Sequence, residues 1–148
     1  FKLAIGEPTA EFIKMQIGSA MPLGEKLEIG LRGRDLATGL PKEIVVKDTQ
    51  IRSAIAKSIR SITDAIHEVI EIAPPELAGD MLKQGIYLCG GGAMLRGIDA
   101  LVERETSVAT EVVDDPLTCV ARGLGHLVDN FDSYKFLMEN SFKSPIQN

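Results

Sequence analysis

The chain has 148 residues, 45% hydrophobic and 25% charged, with a formal net charge of -5 and a pI near 5.1. These values suit one globular domain or two small lobes with a real core. The scattered positive residues argue against a nucleic-acid surface. No apolar run reaches the length of a membrane span, and no secretion signal opens the chain. The start, "FKLAIG", is apolar and lacks Met, so it reads as the middle of a larger protein.

Helical spacing begins at once. "TAEFIKMQIGSA" places Ala10, Ile13, Ile17 and Ala20 on one face, predicting a helix from Thr9 to Ala20 with Thr9 as its cap. Glu11, Lys14 and Gly18 gather on a different face. "KLEIGLRG" then alternates Leu27, Ile29 and Leu31 with Lys26, Glu28 and Arg32, the period of a half-buried strand. With the turn chemistry of "RDLATGLP" and a second strand, "KEIVVK", it predicts a hairpin.

Asp48 is expected to cap a long helix. Its stripe of Ile51, Ile55, Ile59, Ile62, Ile66, Val69 and Ile70 reads as core. Pro74 and Pro75 stop that helix, and a short one follows to Gly85. From there the pattern becomes βαβα: a strand "IYLC", a helix "AMLRGIDALVERE", a strand "VATEVV" and a helix "DDPLTCVARGLGHLV". Asp115 is expected to cap the last, with Pro116 at its first position. The tail from Tyr134 is expected to form an amphipathic turn or two and then fray. Cys89 and Cys119 stand apart, outside any CxxC pair, and read as buried small hydrophobes in a reducing cytoplasm.

The sharpest local signal is "LCGGGAMLRG". A dinucleotide fingerprint starting at Gly90 fails because its sixth position is Leu95. The interval from Gly92 to Gly97 has P-loop spacing, but Ile98 and Asp99 follow where Lys and Ser or Thr are needed. What remains is bare backbone at the C-terminal end of a strand, where open α/β sheets bind ligands. A purine or ribose could lie against it, and a tight strand-to-helix turn is the competing explanation. Glu11 and Lys14 taken alone are an ordinary solvated pair. Asp114 and Asp115, directly before Pro116, read as capping groups rather than catalytic ones.

Two long stretches, "IGEPTAEFIKMQIGSA" and "LCGGGAMLRGIDALVERETSVATEVVDDPLTCVARGLG", closely resemble the C-terminal segment of the MreB family, the bacterial actin homologues. The resemblance covers residues 1 to about 128. It implies an α/β fold of the actin-like ATPase (ribonuclease H-like) type. This chain would supply the second lobe: a partial layered sheet with an inserted α+β subdomain holding a β-hairpin and a long helix. Residues 1–84 correspond to the outer subdomain and 85–148 to the inner part. By the same resemblance Gly90, Gly91, Gly92, Ala93 and Met94 line the adenosine side of an ATP or ADP site. Glu11, Phe12, Ile13 and Lys14 approach it from the other subdomain. It also implies head-to-tail filaments of the full-length protein, cell-wall synthesis and shape proteins as partners, and filaments at the membrane surface. A non-polymerising relative (a chaperone of the Hsp70 type or a sugar kinase) and a purely structural module are the alternatives.

The family grips phosphate with hairpins containing Asp-x-Gly, and no Asp here has Gly two positions on. Mg2+ is therefore expected only in the full-length protein, no metal site or catalytic residue is expected in this chain, and the chain alone is expected to be inactive as an ATPase.

Overall fold

A computed structural model describes residues 1–141, with side chains as far as Phe136. Strand β1 (Leu3–Ala4) leads into helix α1 (Glu7–Ile17), then the hairpin β2 (Glu28–Asp35) and β3 (Pro41–Lys47). Helix α2 (Asp48–Ile72) and helix α3 (Pro75–Gln84) follow. The second half runs β4 (Ile86–Leu88), a 3-10 turn over Gly91–Met94, α4 (Ile98–Thr106), β5 (Thr110–Val112), α5 (Cys119–Asp129) and α6 (Phe131–Ser141).

Among the described residues there are two sheets. One is antiparallel in the order β1-β2-β3, with Leu31 opposite Ile44 and Ile29 opposite Val46. The other pairs β4 and β5 in parallel, as a strand–helix–strand unit requires. Each sheet has its own core. Ile13, Ile17, Leu31 and Val46 bury the hairpin against α1, and Ile59, Ile98, Leu101 and Val102 join α2 to α4. Helix α2 serves both, through Ile51 in the first and Ile55, Ile59 and Ile66 in the second.

Several boundaries differ from expectation. Helix α1 starts at Glu7 after Gly6, with Pro8 in its first turn, so Thr9 lies inside the helix and caps nothing. It stops at Ile17, where Gly18 turns to extended backbone (φ -71°, ψ 146°) while its amide still donates to the Lys14 carbonyl. A Cβ there would lie 2.2 Å from that oxygen, so the position favours glycine. Ala10 is consequently exposed rather than part of the buried stripe. Asp48 is the first residue of α2 and not its cap. Its carboxylate turns inward to Arg52, one turn on, while Gln50 Oε1 accepts from the Lys47 amide at 2.9 Å.

The apolar stripe of α2 is only partly core. Ile62 and Val69 are exposed. The 25 residues of α2 span about 37 Å. The 9 residues of α4 cover only about 13 Å of that length. After the glycines the helix begins at Ile98, not Ala93, since a 3-10 turn and a bridge at Arg96 come first. Asp115 likewise does not cap α5. It sits at φ 46°, a region Asp tolerates better than most residues, and its carboxylate accepts from Thr118 Oγ1. That turn holds Pro116 outside the helix and delays α5 to Cys119. Cys89 is exposed and Cys119 half-buried, against the expectation of buried thiols. Alternation along β4 explains the first, because Cys89 follows Tyr87 on the outward side. The tail helix reaches Ser141, and the fraying expected beyond it lies outside the described residues.

The two cores meet at one junction. Ser19 forms a parallel bridge with Arg96, and the Ala20 amide donates to the Arg96 carbonyl at 2.8 Å. Arg96 Nε donates to the Gly18 carbonyl at 3.3 Å. From α2, Arg52 Nη1 reaches both Ser19 Oγ at 3.1 Å and Asp48 Oδ2 at 3.2 Å. Ser19 is 2% exposed, so its hydroxyl depends on this arginine. Replacing Arg52 by Ala leaves a buried hydroxyl and a nearly buried carboxylate without their partner, and is expected to cost about 2 kcal/mol. Urea unfolding of Arg52→Ala, Ser19→Ala and the double variant checks it; strict additivity would contradict the shared contact.

The hairpin turn rests on Asp35. Its carboxylate accepts from Lys42 Nζ at 2.8 Å and from the Ala37 amide at 2.7 Å. The Lys42 hydrogen bond, then the amides, holds this carboxyl below its ordinary value. A depressed carboxylate pKa stabilises the fold above the unfolded value and loses that contribution as pH falls through the folded one. Asp35→Asn is expected to flatten the acid limb of the stability curve, read as a smaller loss of thermal midpoint between neutral pH and about pH 3.

Candidate functional site

The glycine run makes a corner that no other part of the chain fills among the described residues. Gly90 adopts φ +83°, and its amide donates to the Pro116 carbonyl at 2.7 Å. A Cβ added at Gly90 or Gly92 would meet nothing within 4 Å. One at Gly91 would meet only Leu117 Cδ2, at 3.6 Å. Gly91 and Gly92 are exposed, and Met94 beside them is 54% exposed. A turn alone explains the positive φ at Gly90. It does not explain why Gly92, with no such φ and open space around it, also lacks a side chain.

Ala93 is different. It is buried, so it can offer a ligand its main chain but not its methyl group. Ile13 is likewise buried, at 3% exposed, in the hairpin core. Phe12 is exposed, as are Glu11 and Lys14, and neither charged side chain has a hydrogen bond or ion pair among the described residues. The junction at Gly18, Ser19 and Arg96 fastens the foot of α1 to the segment just past Met94. Lys14 lies one helical turn above that foot and Glu11 nearly two turns above it, about 6 and 10 Å along the axis. The structure thus joins the two elements that carry the predicted residues at one hinge-like contact. Ile13 and Ala93 are buried and present no side chain to that contact's open side.

Sequence patterns did not single out Ser19, Arg96 or Leu117. A serine and an arginine seldom signal a junction until the pairing is known. Arg52 was readable as an i,i+4 partner of Asp48, but its reach to Ser19 was not. A separate cleft of about 640 Å3 opens between α2 and α4, bordered by Arg60, Thr63, His67, Arg104 and Glu105. The Arg104 guanidinium holds the Glu105 carboxyl below its ordinary value, with His67 and Arg60 adding smaller pulls. That cleft includes neither the glycine corner nor Glu11. No group of three metal-ligating side chains occurs among the described residues, and no described helix is long and apolar enough to cross a membrane.

The chain is similar to known proteins over nearly its whole length. The MreB/Mbl protein family matches residues 1–136. Cell shape-determining protein MreB of Escherichia coli is 45% identical over 130 residues, covering 88% of this chain and 38% of that protein. Cell shape-determining protein Mbl of Bacillus subtilis is 41% identical over 132 residues, covering 89% and 40%. The chain therefore spans about two-fifths of the length of these relatives. Among solved structures, MreB5 of Spiroplasma citri bound to AMPPNP superposes with a TM-score of 0.84 at 36% identity, over 95% of this chain and 41% of that one. Its ADP-bound form gives 0.82 at 35%, over 96% and 41%. A double helical filament of MamK shares the fold at a TM-score of 0.63 and 22% identity, over 78% of this chain and 35% of that one. The fold is accordingly actin-like, and the chain belongs to the MreB/Mbl family.

Proposed function

We propose that this chain is the nucleotide-binding C-terminal half of a filament-forming, ATP-dependent bacterial cytoskeletal protein. In this reading the full protein maintains rod shape and organises cell-wall synthesis from the cytoplasm, with its filaments at the membrane surface. Residues 1–84 form the outer subdomain of the second lobe and 85–148 belong to the inner one. One observation carries the proposal: the main chain at Gly90 and Gly92 faces open space, at a corner fastened to the helix bearing Glu11 and Lys14. The similarity to MreB5 crystallised with ADP and with AMPPNP supports the same site.

The residues present fit an adenine nucleotide. A flat purine can pack closely only where no Cβ intervenes, and the bare corner meets that need. Glu11, unpaired and exposed, is suited to accept hydrogen bonds from ribose hydroxyls. Lys14 is suited to donate to a ring nitrogen or to the ribose. Bound nucleotide would bring phosphates, and in the full protein its binding would favour assembly and its hydrolysis would loosen it. This chain has no Asp-x-Gly segment to grip them, so phosphate and Mg2+ contacts are assigned to the remainder of the protein. The contribution of these residues is to hold and orient the nucleoside.

Self-association follows in the same reading. The intact protein is read as assembling head to tail, in keeping with the double helical filament formed by MamK, which shares the fold. Helix α5 shows Val120, Leu124 and Val128 on one exposed stripe, an apolar face suited to packing on the rest of the same molecule.

Gly92→Val tests the site directly. The added side chain has room and need not disturb the fold, yet it occupies the face the purine requires. In the full-length protein the variant is expected to bind a fluorescent ADP analogue at least about tenfold more weakly, roughly 1.4 kcal/mol, with an unchanged thermal midpoint. ATP-dependent sedimentation of filaments is expected to fall with it. Wild-type affinity in Gly92→Val would return the glycines to the role of a turn.

A further inference from the structure

The cleft of about 640 Å3 between α2 and α4 lies apart from the glycine corner, and the nucleotide reading makes no use of it. Its size suits a small molecule rather than a single ion, since such sites run from roughly 300 to 1,000 Å3. Arg60, Thr63, Asp64 and His67 border it from α2, at steps of three and four that put them on one face of that helix. Arg104 and Glu105 border it from the last turn of α4. Ile59 and Leu101, each 7% exposed, give it an apolar floor.

Most of the polar groups in the cleft are uncommitted. Arg60, Asp64 and His67 make no side-chain hydrogen bond or ion pair among the described residues. An arginine and an aspartate four apart on a helix commonly pair, so their separation here leaves each head group available. Arg104 donates through Nε and Nη2 to a single Glu105 oxygen, at 3.2 and 2.6 Å, which leaves Nη1 and the second oxygen. The Thr63 hydroxyl donates to the Arg60 carbonyl at 3.0 Å, and its oxygen can still accept. Arg52, toward the junction with α1, is already engaged by Ser19 and Asp48.

We propose that this cleft binds a phosphorylated, hydroxyl-rich small molecule of the sugar-phosphate class. The phosphate takes charge-assisted hydrogen bonds from the guanidinium groups of Arg60 and Arg104 and from the His67 ring. The hydroxyls donate to Asp64 and Glu105, which match no group on a bare anion. The carbon face of a sugar ring lies on Ile59 and Leu101. Inorganic phosphate is a poorer fit, because it meets two carboxylates without hydroxyls to offer them. A nucleobase is poorer too, since no Phe or Tyr borders the cleft for it to stack on. The bound molecule spans α2 and α4, which share the second core, so binding also stabilises the fold.

Calorimetric titration of the full-length protein with glucose 6-phosphate tests the site, with glucose and inorganic phosphate as controls. Saturable binding of glucose 6-phosphate is expected, with each control weaker by at least about tenfold and a thermal midpoint that rises with ligand. Arg60→Ala is expected to weaken binding by about tenfold. It leaves the thermal midpoint of the ligand-free protein unchanged, because the lost side chain has no hydrogen-bond partner. Asp64→Asn is expected to narrow the margin over inorganic phosphate. Glucose 6-phosphate is expected not to displace a fluorescent ADP analogue. No saturation up to about 10 mM, or inorganic phosphate binding as tightly as glucose 6-phosphate, would overturn the proposal. So would unchanged affinity in Arg60→Ala, or displacement of the analogue, which would put the sugar phosphate at the glycine corner.

Discussion

The contact at Ser19 and Arg96 is the constraint on which the arrangement depends. Two small cores, both served by α2, are further tied by a parallel bridge and by an arginine from α2 that satisfies a buried hydroxyl and a carboxylate at once. Hydrogen bonds of this kind add little when exchanged for water, but they become expensive to lose once their partners are buried. That asymmetry makes the junction directional. It specifies how the foot of α1 meets the segment at Arg96 more than it adds to overall stability.

The corner itself is defined by what is absent. Most strand-to-helix turns in α/β sheets use one or two residues of special conformation, and Gly90 alone supplies the positive φ here. Gly92 meets no neighbour and strains no dihedral, so neither crowding nor the geometry of the turn accounts for its lack of a side chain. The Pro116 carbonyl, held by Gly90 and by the Cys119 thiol, ties this corner to α5.

The hydrophobic surface of the chain is shared unevenly. Ile13, Ile17, Val46 and Val102 are sealed, whereas Ile62, Val69, Leu77, Val120, Leu124 and Val128 face outward. The outer end of α2 and the long side of α5 are amphipathic helices that lack a neighbour among the described residues. Each such side chain would gain roughly 1.5–3 kcal/mol on burial, so these faces favour association with further structure. A chain spanning about two-fifths of its relatives is expected to carry such surfaces.

Local chemistry determined much of this in advance. Period-two alternation located the first hairpin strand and turn chemistry its return, period-3.6 spacing located the long helix, and Gly85 and Pro74–Pro75 marked its neighbours, because these signals act over a few residues. The family-specific stretches around Glu11 and the glycines were legible for the same reason. Boundaries and burial were not. Thr9, Asp48 and Asp115 all looked like caps, but a capping side chain is free to do other work when another partner offers more, as Arg52 one turn on does for Asp48. Ile62 looked like core because spacing reports which face is apolar and cannot report whether anything covers it. Cys89 looked buried until the β4 alternation turned it outward. Only the folded chain decided which of α1's residues look into the core, where α4 begins, and that Ser19, Arg52 and Arg96 meet. Those contacts join segments up to 78 residues apart, and separation on that scale leaves no trace in any local pattern.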